Sequence, residues 1–496
     1  MLTEVCIVTA ISSVLYGLWP YVIDKLFYKL PPGPTPIPFV GNLLLLNSKK
    51  KTRQVFAELA AKHCGDGPKV LTFYYGRFRT ILLLDAQVIR ETIFKQNAIF
   101  GWRPAMPTMR PGVHVVPGIL LANGSHWQIV RKFLMQAMRD FGMGKDLMAI
   151  NIQREAQNLM EQISNVRGQP VDPREMLASS VTNVVSYFVF GKAFSADDEQ
   201  WRIFYNLLMR IIGVPYANDM AAYLFPIFGR FYENQQSKDI NLLNKLSAAR
   251  FQEALNDHRK DFNTENIRDF PDLYLLMEKN GHRDVLDLNC TGALMADMFM
   301  AGTETTATAL NWSLYLVAKH QEIQKKCHDA IDQVIASTRL PTLADRSQLV
   351  YLDAIMCEVL RFCSPLPGAL MHGTLDKGGK ILDYDCPANS LILYSIASVH
   401  MDAKYWKNPT AFDPERWISS DGKLINHATY FMPFGIGQRL CLGEQLARAE
   451  FFLMFADIMQ RFKVSLYSRD PNFDKSRRGG VINSPPSYEI VFTDRD

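Results

Sequence analysis

The chain predicts a mainly helical protein with a small β region, preceded by an N-terminal helix that crosses a membrane. Three observations carry that reading. Val5 to Ile23 contains no charged residue, about the length of a bilayer-spanning helix. Lys69–Tyr75 and Arg79–Leu84 are short β-type runs split by Gly76, the pattern of a hairpin. Beyond them apolar residues recur mostly at helical spacing, above all over Leu294–Leu316 and from Leu446 through Leu453 to Ile458.

Composition narrows the class. A chain of 496 residues with 48% hydrophobic and 21% charged residues can bury a large core, which excludes disorder. A net charge of +4 spread over this length gives no argument for nucleic acid. Eight cysteines without C-x-x-C pairs or disulfide-type spacing fit a reducing compartment. The motifs below spread through the chain, so we expect residues 1–29 as a membrane anchor and 30–496 as one catalytic domain.

Lys25 and Lys29 follow the apolar run while Glu4 precedes it, which places the C-terminal part in the cytosol. A cleaved secretory signal would need a basic leader that is missing. Leu30-Pro31-Pro32-Gly33-Pro34, with Pro36 and Pro38, reads as a semi-rigid extended hinge. Residues 101–118 hold four prolines and are expected to form a long loop, a candidate substrate lid. Trp127 and Arg131 lie four apart on a helical pattern; taken alone they are a surface cation–π pair. Residues 150–290 are mostly helix-like, with breaks near Gly168-Gln169-Pro170 and Gly213 and no catalytic pattern.

The second half carries the chemistry. The apolar helix 294–316 is interrupted by Ala301-Gly302-Thr303-Glu304-Thr305-Thr306, a poor choice for helix stability. A hydroxyl that competes for a helical carbonyl opens the ladder and leaves a groove for water and a diatomic ligand. Glu358 and Arg361 form an i,i+3 pair on a helix from about Leu352 to Cys363, which by itself is a common surface contact. Finally Phe434-Gly435-Ile436-Gly437-Gln438-Arg439-Leu440-Cys441-Leu442-Gly443 puts one cysteine on a glycine-rich turn before the helix that starts near Leu446. Exposed N–H groups and the dipole there favour a thiolate, and we read Cys441 as an iron ligand rather than a small buried hydrophobe.

The pattern F-x-x-G-x-R-x-C-x-G resembles the haem-binding loop of the cytochrome P450 haem-thiolate monooxygenases. The resemblance implies the family fold and thiolate-ligated haem b (iron protoporphyrin IX), with Cys441 as axial ligand and Arg439, Trp127 and Arg131 toward the haem propionates. Phe434 and Gly435 shape the cofactor loop. A-G-x-E-T-T makes Thr305 the hydroxyl that stabilises bound hydroperoxide and Glu304 a proton-relay acid. Glu358 and Arg361 join Arg416, in Phe412-Asp413-Pro414-Glu415-Arg416-Trp417, in a lock that serves folding and haem retention. His372 sits where relatives turn a residue to a propionate, although its spacing to Asp376 is one shorter than expected. Arg139-Asp140-Phe141-Gly142 resembles the animal microsomal subgroup in particular.

By the same resemblance the chain inserts one oxygen atom of O2 into a small, neutral, lipophilic substrate by hydroxylation or epoxidation, at the endoplasmic reticulum membrane. No dinucleotide-binding glycine motif follows a strand, so the electrons are expected from a separate protein; the resemblance implies NADPH–cytochrome P450 reductase, with cytochrome b5 as a further donor. The expected pocket walls are the 101–118 loop, the helix near Met295, Met298, Phe299 and Ala301, residues 364–371 and residues 481–485, with charge confined mainly to Arg103 and Arg110. A terpenoid or steroid-like hormone precursor and a generalist range of foreign lipophiles are both open. Rivals are a haem-thiolate isomerase needing no oxygen, against which Glu304 and Thr305 argue, and a haem-binding sensor without turnover.

Overall fold

The computed structural model describes residues 17–46, 52–104, 118–140, 146–194, 198–213, 235–281, 288–335, 339–374, 377–469 and 481–495. The hairpin forms as expected: β1 (Val70–Tyr75) and β2 (Phe78–Leu83) pair antiparallel from Val70 opposite Leu83 to Tyr75 opposite Phe78. Gly76 turns the chain at φ 56°, in the left-handed region open to glycine. The hairpin is half of a larger sheet. β2 also pairs parallel with β6 (Leu391–Tyr394), which takes β3 (His372–Gly373) on its other side, in the order β1-β2-β6-β3. Two further ribbons join β4 (Gly379–Ile381) to β5 (Tyr384–Cys386) and β7 (Phe462–Arg469) to β8 (Tyr488–Asp494).

Most of the remaining described residues are helical, apart from extended or irregular stretches such as 28–42 and 401–443. Residues 17–27 form α1. Then come α2 (Thr52–Cys64), α3 (Gly124–Asp140), α4 (Asp146–Asn165), α5 (Arg174–Phe190), α6 (Glu199–Gly213), α7 (Gln235–His258) and α8 (Phe270–Lys279). The breaks expected near Gly168 and Gly213 fall between α4 and α5 and at the end of α6. The second half adds α9 (Leu288–Lys319), α10 (Gln321–Val334), α11 (Val350–Cys363) and α12 (Glu444–Arg461). α10 was not singled out in the sequence.

α9 is the axis of the molecule, packed on α5, α7, α11 and α12. One core joins α4, α5, α9, α11, α12 and the β7–β8 ribbon; a second, aromatic core gathers Phe190, Phe194, Phe204, Phe251, Phe270 and Phe299. Met295 and Phe299 are buried in that second core, with the Phe299 ring 5.2 Å from Phe204, so the expected substrate-wall face of α9 is turned away at these two positions.

Three expectations are revised or left outside the described residues. No described helix is long and apolar enough to cross a membrane, and the expected anchor falls largely on residues 1–16, which lie outside them. The proline-rich stretch is not a free hinge: it lies along β1, where Thr72 donates its N–H to Pro32 O at 2.9 Å and its hydroxyl to Pro31 O at 2.8 Å. Most of the expected lid, 105–117, and Asp376 are outside the described residues.

Candidate functional site

The loop before α12 is closed by its own backbone. Cys441 N–H donates to Phe434 O at 3.0 Å and Gly435 N–H to Met432 O at 3.0 Å. Gly437 sits at φ 76°, and a Cβ there would meet Ile93 O at 2.8 Å, so both its conformation and the neighbouring chain demand glycine. The Arg448 guanidinium lies 4.8 Å over the half-buried Phe434 ring. Cys441 stands three residues before α12 with an accessible side chain. The surrounding protein nonetheless pushes its pKa up, and the Gly443 N–H and Arg131 only partly offset this. Metal coordination would displace the proton that burial favours.

Above this loop three guanidinium groups converge. Trp127 and Arg131, one turn apart on α3, are a site pair rather than a surface ornament: Trp127 is buried, and Arg131 Nη2 donates to Leu440 O at 2.6 Å. Arg439 stacks 3.9 Å over the Trp127 ring. It donates to Gly101 O at 3.0 Å and, from Nη2, to Ala122 O and Asn123 Oδ1 at 2.8 Å each. Its buried Nη1 has no hydrogen-bond partner among the described residues. Burial, then Arg103 and Arg131, lower the Arg439 pKa to about 9, and no carboxylate opposes them.

His372 belongs to the same cluster. It is buried, its Nδ1 lies 2.8 Å from Phe100 O, and burial followed by the charge of Arg103 holds its pKa down at about 3. The ring is therefore neutral, with Nδ1 as donor. Arg103 was expected among the substrate-pocket walls, but it is a structural cation: Nε donates to Leu120 O at 3.1 Å and Nη1 to Leu370 O and Met371 O at 2.8 and 2.9 Å. A buried N–H without a partner among like charges calls for an anion. The carboxylates of a haem group fit that need, and Cys441 on the same loop is a suitable iron ligand.

α9 is continuous through 301–306, so the expected interruption is not a break in the helix. Its polar residues divide between two jobs. Thr305 Oγ1 donates back to Ala301 O at 2.8 Å, and Ala301 and Thr305 keep accessible surface. Thr303, Thr306 and Thr308 are buried; Thr303 donates to Phe299 O at 2.7 Å and Thr308 to Glu304 Oε1 at 3.1 Å. Gly302 is a packing residue: a Cβ there would lie 2.7 Å from Val185 Cγ2, so α5 approaches α9 at this point.

Glu304 is buried, and that burial pushes its pKa up to about 7 against the Thr308 bond and the Arg174 charge. Its resolved side-chain partner is Thr308 rather than Thr305. One turn before Ala301, Asp297 accepts from Leu120 N–H at 2.8 Å and is likewise raised to about 7 by burial. Sequence reasoning missed Asp297, although an acid inside an apolar helix was the available signal.

The third group is a buried lock. Arg361 donates from Nε and Nη2 to the two oxygens of Glu358 at 2.7 Å each, both side chains being fully buried. Asp413 N–H, Arg416 Nε and Trp417 Nε1 add bonds to the same carboxylate at 2.9, 3.2 and 2.9 Å. The remaining Arg361 donors reach the carbonyls of His400, Pro409 and Ala411. His400, also missed, carries the lock to the cysteine loop, because its Nε2 accepts Met432 N–H at 3.1 Å. On the surface beside the site, an open groove is lined by Trp127, Gln128, Arg131, Lys132, Met135 and Arg139.

Comparison with known proteins meets this geometry. The family model described as Cytochrome P450 matches residues 31–492. Cytochrome P450 2C23 of Rattus norvegicus is 32% identical over 473 residues, covering 94% of each chain. Cytochrome P450 2H2 of Gallus gallus is 31% identical over 498 residues, covering 100% of this chain and 99% of its own. Cytochrome P450 2E1 of Sus scrofa is 31% identical over 505 residues, covering 100% of this chain and 98% of its own.

Proposed function

Since the chain belongs to the cytochrome P450 family and is a haem-thiolate monooxygenase, we propose that its reaction is hydroxylation or epoxidation of a neutral lipophile, a terpenoid or steroid-like molecule among them. NADPH–cytochrome P450 reductase and cytochrome b5 supply the electrons, at the endoplasmic reticulum membrane with the catalytic domain toward the cytosol. The observation that carries the site assignment is Arg439, stacked on Trp127 with a buried, unpartnered Nη1 two residues before the accessible Cys441.

Haem bound through Cys441 supplies the redox chemistry that activates O2. Arg439, Arg131, Trp127 and His372 would hold its carboxylates, while Phe434 and Gly435 would shape the cysteine loop. Thr305 Oγ1 would present a hydroxyl from α9. Glu304 holds a proton near neutral pH, the range in which a carboxyl both gives and takes one, and delivers it toward the Thr305 side through a rotamer change or ordered water. The Glu358–Arg361–Arg416 lock braces the loop from behind.

The groove lined by Arg131, Lys132 and Arg139 gives an acidic electron donor a basic docking face next to Cys441. Apolar walls from α9, 364–371 and 481–485 select lipophiles. The test is turnover of the full chain with reductase in lipid against a library of neutral lipophiles and of charged, polar compounds, read by product mass. Oxygenated lipophiles are expected; products formed from polar compounds alone would overturn the proposal.

A further inference from the structure

The N-terminal helix has two faces of opposite character. Gly17, Tyr21 and Asp24, at i, i+4 and i+7, are buried, Gly17 against the Phe39 ring and the other two against the β1–β2 hairpin. Trp19, Val22 and Leu26 are 61%, 44% and 72% exposed on the other side, and Phe27, next to Leu26, is 70% exposed. Such a contiguous apolar stripe on a soluble surface would be a liability.

The buried face is held by polar chemistry. Tyr21 packs edge-on against Tyr74 with ring centroids 4.6 Å apart and donates its hydroxyl to Gly76 O at 2.8 Å. Asp24 accepts from Tyr74 OH at 2.8 Å and from Arg79 Nη1, while Arg79 Nε donates to Ser390 Oγ at 2.9 Å. After the helix, Lys29 N–H donates to Asp385 Oδ2 at 2.8 Å and Asp385 N–H returns to Lys29 O at 2.9 Å. Gly33 then runs so close to β1 that a Cβ would meet Thr72 O at 2.0 Å. From Tyr21 to Gly33 the chain is fixed at successive points to the first sheet and, at Lys29, to the β4–β5 ribbon.

We propose that the N-terminal helix is a fixed part of the catalytic body, clamped by Tyr21, Asp24, Tyr74 and Arg79, and that this clamp, rather than a swivelling linker, sets the angle at which the domain sits on a lipid bilayer. The inference rests on the membrane-anchor reading. The bilayer is the occupant of the exposed stripe because the helix continues the uncharged run from Val5 to Ile23 and ends in the exposed cations Lys25 and Lys29 beside Trp19 and Phe27. Aromatic rings and lysine stems of this kind partition to the headgroup boundary. A buried ion pair is a stiff joint: separating Asp24 from Arg79 leaves a charge without its partner in a poorly solvated site.

The test uses the full haem-loaded chain in phospholipid nanodiscs, with haem tilt and wobble read from polarised absorption. The wild type is expected to show one narrow tilt and to rotate with the disc. Asp24→Ala, and more mildly Tyr74→Phe, should wobble several-fold faster while staying disc-bound and keeping the reduced carbon monoxide band; Tyr74→Phe removes a single hydroxyl and secures the test if Asp24→Ala does not fold. Disc-bound variants that wobble no faster than the wild type would overturn the clamp alone. A wild-type chain that does not stay with the discs would overturn the anchor reading on which the clamp depends.

Discussion

Cys441 and Arg439 stand two positions apart in one turn, and both were readable because the loop's geometry is local. The glycines at 435 and 437 take positive φ, and the cysteine N–H closes on Phe434 within eight residues. Arg103 and His400 were not readable. Their partners come from Leu120, Leu370 and Met371, and from Ser364, Arg361 and Met432, and nothing in the sequence around Arg103 or His400 announces those contacts. Arg439→Lys should keep the charge but lose the planar fork that reaches Gly101, Ala122 and Asn123 and the stack on Trp127. Transfer of haem from the variant to an acceptor apoprotein should be about tenfold faster or more, as loss of one charge-assisted bond implies; an unchanged rate would remove Arg439 from cofactor binding. Thr305→Ala frees the Ala301 carbonyl but leaves α9 intact, so haem content and substrate binding should hold while product per NADPH falls. Equal coupling in variant and wild type would end the proton-delivery role of that hydroxyl.

At the scale of elements, α9 shows how one signal hid two causes. Glycine and threonines in an apolar helix were read as a functional opening, yet the helix is continuous and both Thr303 and Thr305 bond back within it. Gly302 serves close packing on Val185, and Thr303 satisfies its hydroxyl within its own helix. Periodicity reports which positions are polar, not which neighbour each one meets. Gly302→Ala forces a Cβ to 2.7 Å from Val185 Cγ2 and should destabilise by about 1–3 kcal/mol, the range for overpacking. Pairing it with Val185→Ala should restore part of the thermal midpoint. Additive losses in the double variant would mean that helix propensity or strain, not this contact, sets the cost. The β1–β2 hairpin was legible from its turn; its parallel partner β6 was not, because Thr80 and Leu391 are far apart in the chain.

For the whole molecule, buried acids shape the response to pH. Burial raises Asp297, Glu304 and Asp457 to about 7 and Asp269 to about 6. Each keeps its proton longer folded than unfolded, so between about pH 4 and 7 these acids contribute a stability that falls as pH rises, against the buried His372 and His400, whose lowered pKa values act in the opposite sense. Asp457 isolates the effect. It lies on α12 away from the cysteine, Gln153 and Gln157 donate to its Oδ2 at 2.7 and 3.0 Å, and its Oδ1 is unpartnered. Asp457→Asn retains an acceptor for the glutamines and cannot ionise. It should raise the thermal midpoint at pH 8 and leave it nearly unchanged at pH 4; a constant difference across that range would contradict the assignment.

The motif order, the helical majority and the loop chemistry were legible at this scale, whereas the fixing of the proline-rich stretch to β1 depends on pairings that only the folded chain reveals. The proposed haem site turns on one bond, between Cys441 and haem iron. The reduced carbon monoxide spectrum of the wild type beside Cys441→Ser tests it directly. The wild type should show the far red-shifted Soret band of thiolate-ligated haem and the serine variant should lose it; a variant that kept the band would mean that another residue holds the iron.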